Sequence, residues 1–169
     1  MRFALLVATL AAGTLAIDVD TIALPGFHYS VFGLPTREVE FTRGKVEGLS
    51  KSLRIAHSCH GRDNCHVSVN GLRFTYKATA TKPEQEFDVV VDVLHSLLEV
   101  NGASNIDGKY EVKDVRVKTL QQFVREPVQF SSDRTQSALF DEKLKKKLLE
   151  FLCALTRTEA FQDAFLNVV

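Results

Sequence analysis

The spacing of apolar residues changes character twice along this chain. An uninterrupted apolar run from Phe3 to about Leu15 comes first. From Ile17 to Pro35 the residues Pro25, Gly26, Gly33 and Pro35 break any regular period, leaving one short extended piece around Phe27 to Phe32. From Arg37 the period becomes two: Val39 and Phe41 alternate with Glu38, Glu40 and Thr42, as in a strand with one face buried. Arg43-Gly44 reads as a turn. Lys45–Leu49 and Leu53–Cys59 continue in extended form, broken near Gly48 and Ser50.

Two more strand-like runs follow, Val67 with Val69 and then Leu72, Phe74, Tyr76 and Ala78. Their parity changes at Asn70-Gly71, where an extra residue makes a bulge. Lys82-Pro83-Glu84 marks a turn. Phe87 to Val100 is apolar at both parities, and its three consecutive valines favour a strand over a helix. Asn101-Gly102 and Asp107-Gly108 are turn signals flanking a short loop. Tyr110, Val112, Val115 and Val117 give another strand with a slip near Lys113-Asp114. Phe123 to Phe130 forms a last one, which Pro127 confines to an edge or a bulge.

After Phe130 the period becomes helical. Ser131-Ser132-Asp133 supplies an N-cap, and Phe140, Leu144, Leu148, Phe151 and Leu155 recur at helical spacing. Those five positions span about 80° of the circumference. Leu152 widens the arc, and Leu149 and Cys153 lie nearly opposite its centre, so the helix reads as apolar on most sides and therefore enclosed. Thr156–Glu159 interrupts it before a final apolar segment with Phe161, Phe165 and Leu166. The expected fold is α+β, a long curved antiparallel β-sheet covering one C-terminal helix.

Charge and compartment narrow the function. Met1-Arg2 followed by a dozen apolar residues and small residues near Ala16 matches a secretory signal peptide, residues 1–16. Asp18 and Asp20 end the run well short of the ~20 residues that span a bilayer. Taking 16 residues from 169 leaves 153, one expected domain over 17–169, secreted and extracellular, with no integral membrane segment after cleavage. The chain carries 21 basic and 21 acidic side chains, so no overall charge excess points to nucleic acid or to anionic membranes.

The segment C-H-G-R-D-N-C-H, Cys59 to His66, carries two cysteines and, with His57, three histidines. In an oxidising compartment a Cys59–Cys65 disulfide across a hairpin is favoured, contributing roughly 2–2.5 kcal/mol in the chain-entropy model. A zinc site is the competitor; its first cysteine pair is usually closer together, and no second pair follows. Cys153 is left as a free thiol packed like a small apolar side chain.

The run G-K-V-E-G-L-S-K-S-L, Gly44 to Leu53, resembles the mite group-7 allergens, relatives of insect juvenile-hormone-binding proteins within the TULIP lipid-binding superfamily. The segment V-K-D-V-R-V-K-T-L-Q-Q-F, Val112 to Phe123, is similar as well, and the likeness extends over about Arg37 to Val169. It implies a strongly curved antiparallel β-sheet wrapped around a long C-terminal α-helix, with an apolar groove for a lipid-like ligand. The family's long N-terminal helix has no counterpart here, since Ile17 to Thr36 holds two prolines and two glycines.

No G-x-S-x-G elbow, H-E-x-x-H or phosphate-binding glycine loop occurs, so no enzyme, cofactor or metal is expected. Twelve phenylalanines are the remaining candidates, and those on inward parities either fill a core or line a pocket. The expected function is a secreted, non-enzymatic binding protein for a hydrophobic small molecule, a lipid or terpenoid, held between sheet and helix. Phe74, Tyr76, Val91, Leu144, Leu148 and Phe151 are its expected ligand-binding residues. The alternative is a protein-interaction or host-defence protein that meets a protein partner through the Cys59–Cys65 loop.

Overall fold

The computed structural model describes residues 21–55, 64–104, 110–126 and 129–166. Among the described residues eight strands form one antiparallel sheet: β1 (Thr21–Leu24), β2 (Phe27–Val31), β3 (Arg37–Glu47), β4 (Leu53–Ile55), β5 (Asn64–Val69), β6 (Leu72–Ala80), β7 (Gln85–Ser104) and β8 (Tyr110–Glu126). A single helical turn, α1 (Leu49–Ser52), separates β3 from β4. Two helices close the described chain, α2 (Arg134–Leu155) and α3 (Glu159–Leu166).

The sheet is assembled from strands laid end to end. Phe41 pairs with Phe27 of β2 and Ala78 of β6, and Val46 with Ile22 of β1 and Phe74 of β6. The two short strands thus share one edge of β3, with β6 on the other. In the same way β5 and β6 run consecutively along one edge of β7, while β8 follows the opposite edge.

This arrangement corrects the expectation of a strongly curved sheet wrapped around the helix. The sheet is open, and α2 lies against it without being enclosed. The reason is visible along the helix. Gln136, Phe140, Leu144, Leu148 and Leu152 are buried, a single i, i+4 stripe, whereas Lys145, Lys146, Leu149 and Glu150 are exposed. One sheet face is enough to cover such a stripe. Leu149, 36% exposed, and part-buried Cys153 made the helix look apolar all round in sequence, but neither enters the core.

Two dipeptides with the composition of turns lie inside strands. Arg43-Gly44 does not turn the chain: β3 runs on to Glu47, absorbing the pair as a bulge with Arg43 at φ 53° and a register shift against β6 between Thr42 and Lys45. Asn101-Gly102 likewise lies inside β7, at a register shift against β8. The two strands expected between Tyr110 and Phe130 are one, β8, and the slip expected near Lys113-Asp114 coincides with the step from Asn101–Asp114 to Gly102–Val112 pairing.

The parity change at Asn70-Gly71 is present and is matched on the neighbouring strand. Val69 and Leu72 are both buried, and so are their partners Ser96 and Val93. Gly71 takes φ 81°, which a side chain disfavours, and its N–H donates to Val93 O at 2.8 Å. The Asn70 amide meets His95 Nδ1 at 3.1 Å across the break. The double apolar parity of Phe87–Val100 is thus a phase change: odd positions from Val89 to Val93 are buried, then even positions from Ser96, and Leu94 between them is 47% exposed. Buried residues from both sides of the break join one core.

The helix boundaries follow the sequence signals. Asp133 caps α2, its carboxylate accepting from Thr135 N at 2.8 Å and Gln136 N at 3.4 Å. At the other end Thr158 Oγ1 accepts from Phe161 N at 3.3 Å, starting α3 after the expected interruption. Among the described residues no helix is long and apolar enough to cross a membrane.

Candidate functional site

The most distinctive feature of the core is a network of aromatic rings between the sheet and α2. Alternation F-H-Y-S-V in β2 turns Phe27 and Tyr29 to the helix side. Phe27 lies opposite Phe41 in the ladder and the rings stack, centroids 4.3 Å apart and planes 9° from parallel. Tyr76 of β6 meets Phe27 edge-on at 5.1 Å. From the helix, Phe151 reaches both Phe27 (5.5 Å) and Tyr76 (6.3 Å), and Phe140 reaches Tyr29 (5.9 Å) and Phe41 (6.1 Å). Phe130 stacks on Phe140 at 4.3 Å and extends the network to Phe87 at 6.1 Å. Pairs of this kind add about 0.5–1.5 kcal/mol each beyond the area they bury.

Polar atoms at the margin fix this layer. Tyr29 Oη donates to Phe140 O at 3.2 Å, and Lys143 Nζ to Ser30 O at 2.7 Å, so β2 is tied directly to α2. Tyr76 Oη lies 3.5 Å from Pro25 O, and burial pushes its phenol well above the ordinary tyrosine value. The phenol therefore stays neutral and acts as a hydrogen-bond donor at any physiological pH. Gly44, freed from turn duty, provides the floor beneath the Tyr76 ring.

The six residues expected to bind ligand are brought together here. Phe74, Tyr76, Val91, Leu144 and Leu148 are buried in the common core, and Phe74 sits opposite Val91 in the β6–β7 ladder. Phe151 is only part-buried and lies on the rim. Phe27, Tyr29 and Phe41 belong to the same layer, although sequence reasoning did not single them out. The short extended piece expected around Phe27 to Phe32 is β2, but the prolines and glycines around it left its inward face unassigned. The rim is formed by Phe27, Tyr29, Phe87 and Phe151, all part-buried.

The opposite face of the sheet is polar. A cleft of about 430 Å³ opens there between Thr42 and Arg43 of β3, Lys77, Ala78 and Thr79 of β6, and Glu86, Phe87 and Asp88 of β7. Its charges offset one another, with Lys77 paired to Asp88 at 3.1 Å. Nearby, Arg73 holds Asp92 through two bonds of 2.6 and 2.9 Å, which keeps the Asp92 carboxyl below the ordinary aspartate value.

The expected Cys59–Cys65 disulfide involves Cys59, which lies outside the described residues, as do His57 and His60. Cys153 is free and part-buried. Comparison of the chain with protein-family models and with curated proteins finds no match.

Proposed function

We propose that the protein binds a hydrophobic small molecule, a lipid or a terpenoid, at the seam between the sheet and α2. One observation carries this reading: the aromatic layer runs from fully buried rings, Tyr76, Phe41 and Phe140, out to part-buried Phe27, Tyr29 and Phe151 at the edge. An apolar molecule inserting at that edge would leave water for a surface of aromatic rings, gaining about 25 cal/mol for each Å² of apolar area it buries. Phe151, on the rim and in contact with Phe27 and Tyr76, is the gate; Leu148 and Leu144 back it one and two turns earlier on the helix. The described core is packed, so entry requires α2 to shift from β2, loosening the Tyr29–Phe140 and Lys143–Ser30 bonds. The likeness of Gly44–Leu53 and Val112–Phe123 to lipid-binding TULIP proteins supports the same class of ligand, with the ligand lying under a helix packed on an open sheet.

The test is native mass spectrometry and solvent extraction of the purified mature protein, followed by titration with a fluorescent fatty-acid probe. A co-purifying lipid, or saturable probe binding weakened several-fold by Phe151→Ala, is expected. Absence of both lipid and probe binding would refute the proposal.

A further inference from the structure

Between β2 and β3 the chain presents Phe32, Leu34 and Pro35 to solvent, and nothing in the ligand-binding reading uses them. Phe32 is 64% exposed and Leu34 101%, the two most exposed large apolar side chains of the described residues. Scattered single apolar residues need no explanation, but these two share one tip with exposed Pro35.

The tip is also held in shape. Buried Gln136, in the first turn of α2, donates from Nε2 to Pro35 O at 2.8 Å, and Thr36 Oγ1 donates to Gly33 O at 3.3 Å. Gly33 lies so close to Gln136 that a Cβ there would meet its Cδ at 2.6 Å and Cγ at 2.7 Å. The exposed side chains therefore stand on a braced loop, and presenting them costs little further ordering entropy. Lys143 places its ammonium 5.0 Å from the Phe32 ring centroid, at the base of the tip.

We infer that this tip is a membrane-docking element that inserts Phe32 and Leu34 into the interface of a phospholipid bilayer, with Lys143 meeting the phosphates. Size decides against a protein partner. A stable protein interface needs about 800 Å² from each side, several times what one Phe, one Leu and one Pro present. A bilayer needs no matching surface: a few apolar side chains at the headgroup boundary and an adjacent cation suffice for weak, reversible binding. The inference goes beyond the ligand-binding reading and stands without it, since docking would place the protein on a lipid surface whatever it carries.

The experiment is vesicle co-sedimentation of the mature protein with phosphatidylcholine vesicles, with and without phosphatidylserine. Binding is expected to both, stronger with phosphatidylserine, and to fall by about tenfold or more in the Phe32→Ser, Leu34→Ser double variant. The chain contains no tryptophan, so Leu34→Trp installs a single reporter at the tip. Its emission should shift to the blue on adding vesicles, whereas that of Leu149→Trp, on the exposed side of α2, should not. Equal sedimentation of wild type and double variant overturns the inference, as does the same emission response from both reporters. Self-association that is lost in the double variant, without vesicle binding, would assign the tip to a second copy of the chain and equally overturn it. Fatty-acid probe binding is read separately, so loss of one result leaves the other interpretable.

Discussion

Gly44→Ala is the most direct probe of the aromatic layer. The added Cβ would lie 2.6 Å from Tyr76 Cζ and 2.9 Å from Cδ1, with Cε1 nearer still, where carbon atoms normally keep 3.5–4.0 Å. The ring must retreat by about 1 Å, yet it is fully buried and bounded by Phe27, Phe41 and Phe151. Overpacking of this kind costs about 1–3 kcal/mol, and a clash with three ring atoms belongs near the top of that range. The usual benefit of Gly→Ala, about 0.4–1 kcal/mol from a less flexible unfolded chain, is subtracted. A net loss of about 2 kcal/mol remains, a fall of roughly 4–8 °C in Tm for a chain of this length. Urea unfolding followed by far-UV circular dichroism measures it. The decisive comparison is Gly44→Ala made in a Tyr76→Val background, which removes the clashing atoms. There the alanine should be neutral or mildly stabilising, giving a coupling of about 2 kcal/mol. An equal effect of Gly44→Ala in both backgrounds would mean that the glycine serves the bulge conformation and not the ring.

Arg37 is buried at the start of β3, donating from Nε to Thr81 O (3.1 Å) and from Nη1 to Phe130 O (3.4 Å), with its guanidinium 4.4 Å from the Phe130 ring centroid; burial lowers its pKa. Arg37→Ala should destabilise by about 2–4 kcal/mol in chemical denaturation, and Arg37→Met by about half as much, because the stem is kept. Asp133→Ala should cost about 1 kcal/mol through loss of the α2 cap, and Asp133→Ser should restore most of it in thermal melts. The Arg73–Asp92 pair stabilises the folded state at pH values above the ordinary aspartate pKa; that contribution disappears as pH falls through the lowered value of Asp92. Asp92→Asn or Arg73→Gln should therefore flatten the acid limb of the stability–pH curve, and an unchanged limb in both variants would remove the pair from the account of acid unfolding.

Local residue patterns set the kinds of element and most of their inward faces, because alternation at period two and recurrence at i, i+4 are local consequences of backbone geometry. β6, the capped start of α2, the break before α3 and the phase change at Asn70-Gly71 were all legible in this way. So was the burial of Phe74, Tyr76, Val91, Leu144 and Leu148, since an apolar residue on an inward parity is buried whatever covers it. Glycine-containing turn dipeptides carry less information. Arg43-Gly44 and Asn101-Gly102 have the composition of turns, yet the ladders on either side carry the chain straight through as bulges and register shifts. How far the sheet curves, and whether it encloses the helix, was also beyond the sequence. Those depend on β1 and β2 sharing an edge of β3, and on β5 and β6 sharing an edge of β7, pairings between residues distant in the chain that no local pattern encodes. Tertiary structure alone placed Phe27 and Tyr29 in the aromatic layer and left Phe32 and Leu34 outside it. The four are close in sequence, but pairing with β3 turns Phe27 and Tyr29 toward the helix, whereas the loop braced by Gln136 holds Phe32 and Leu34 in solvent.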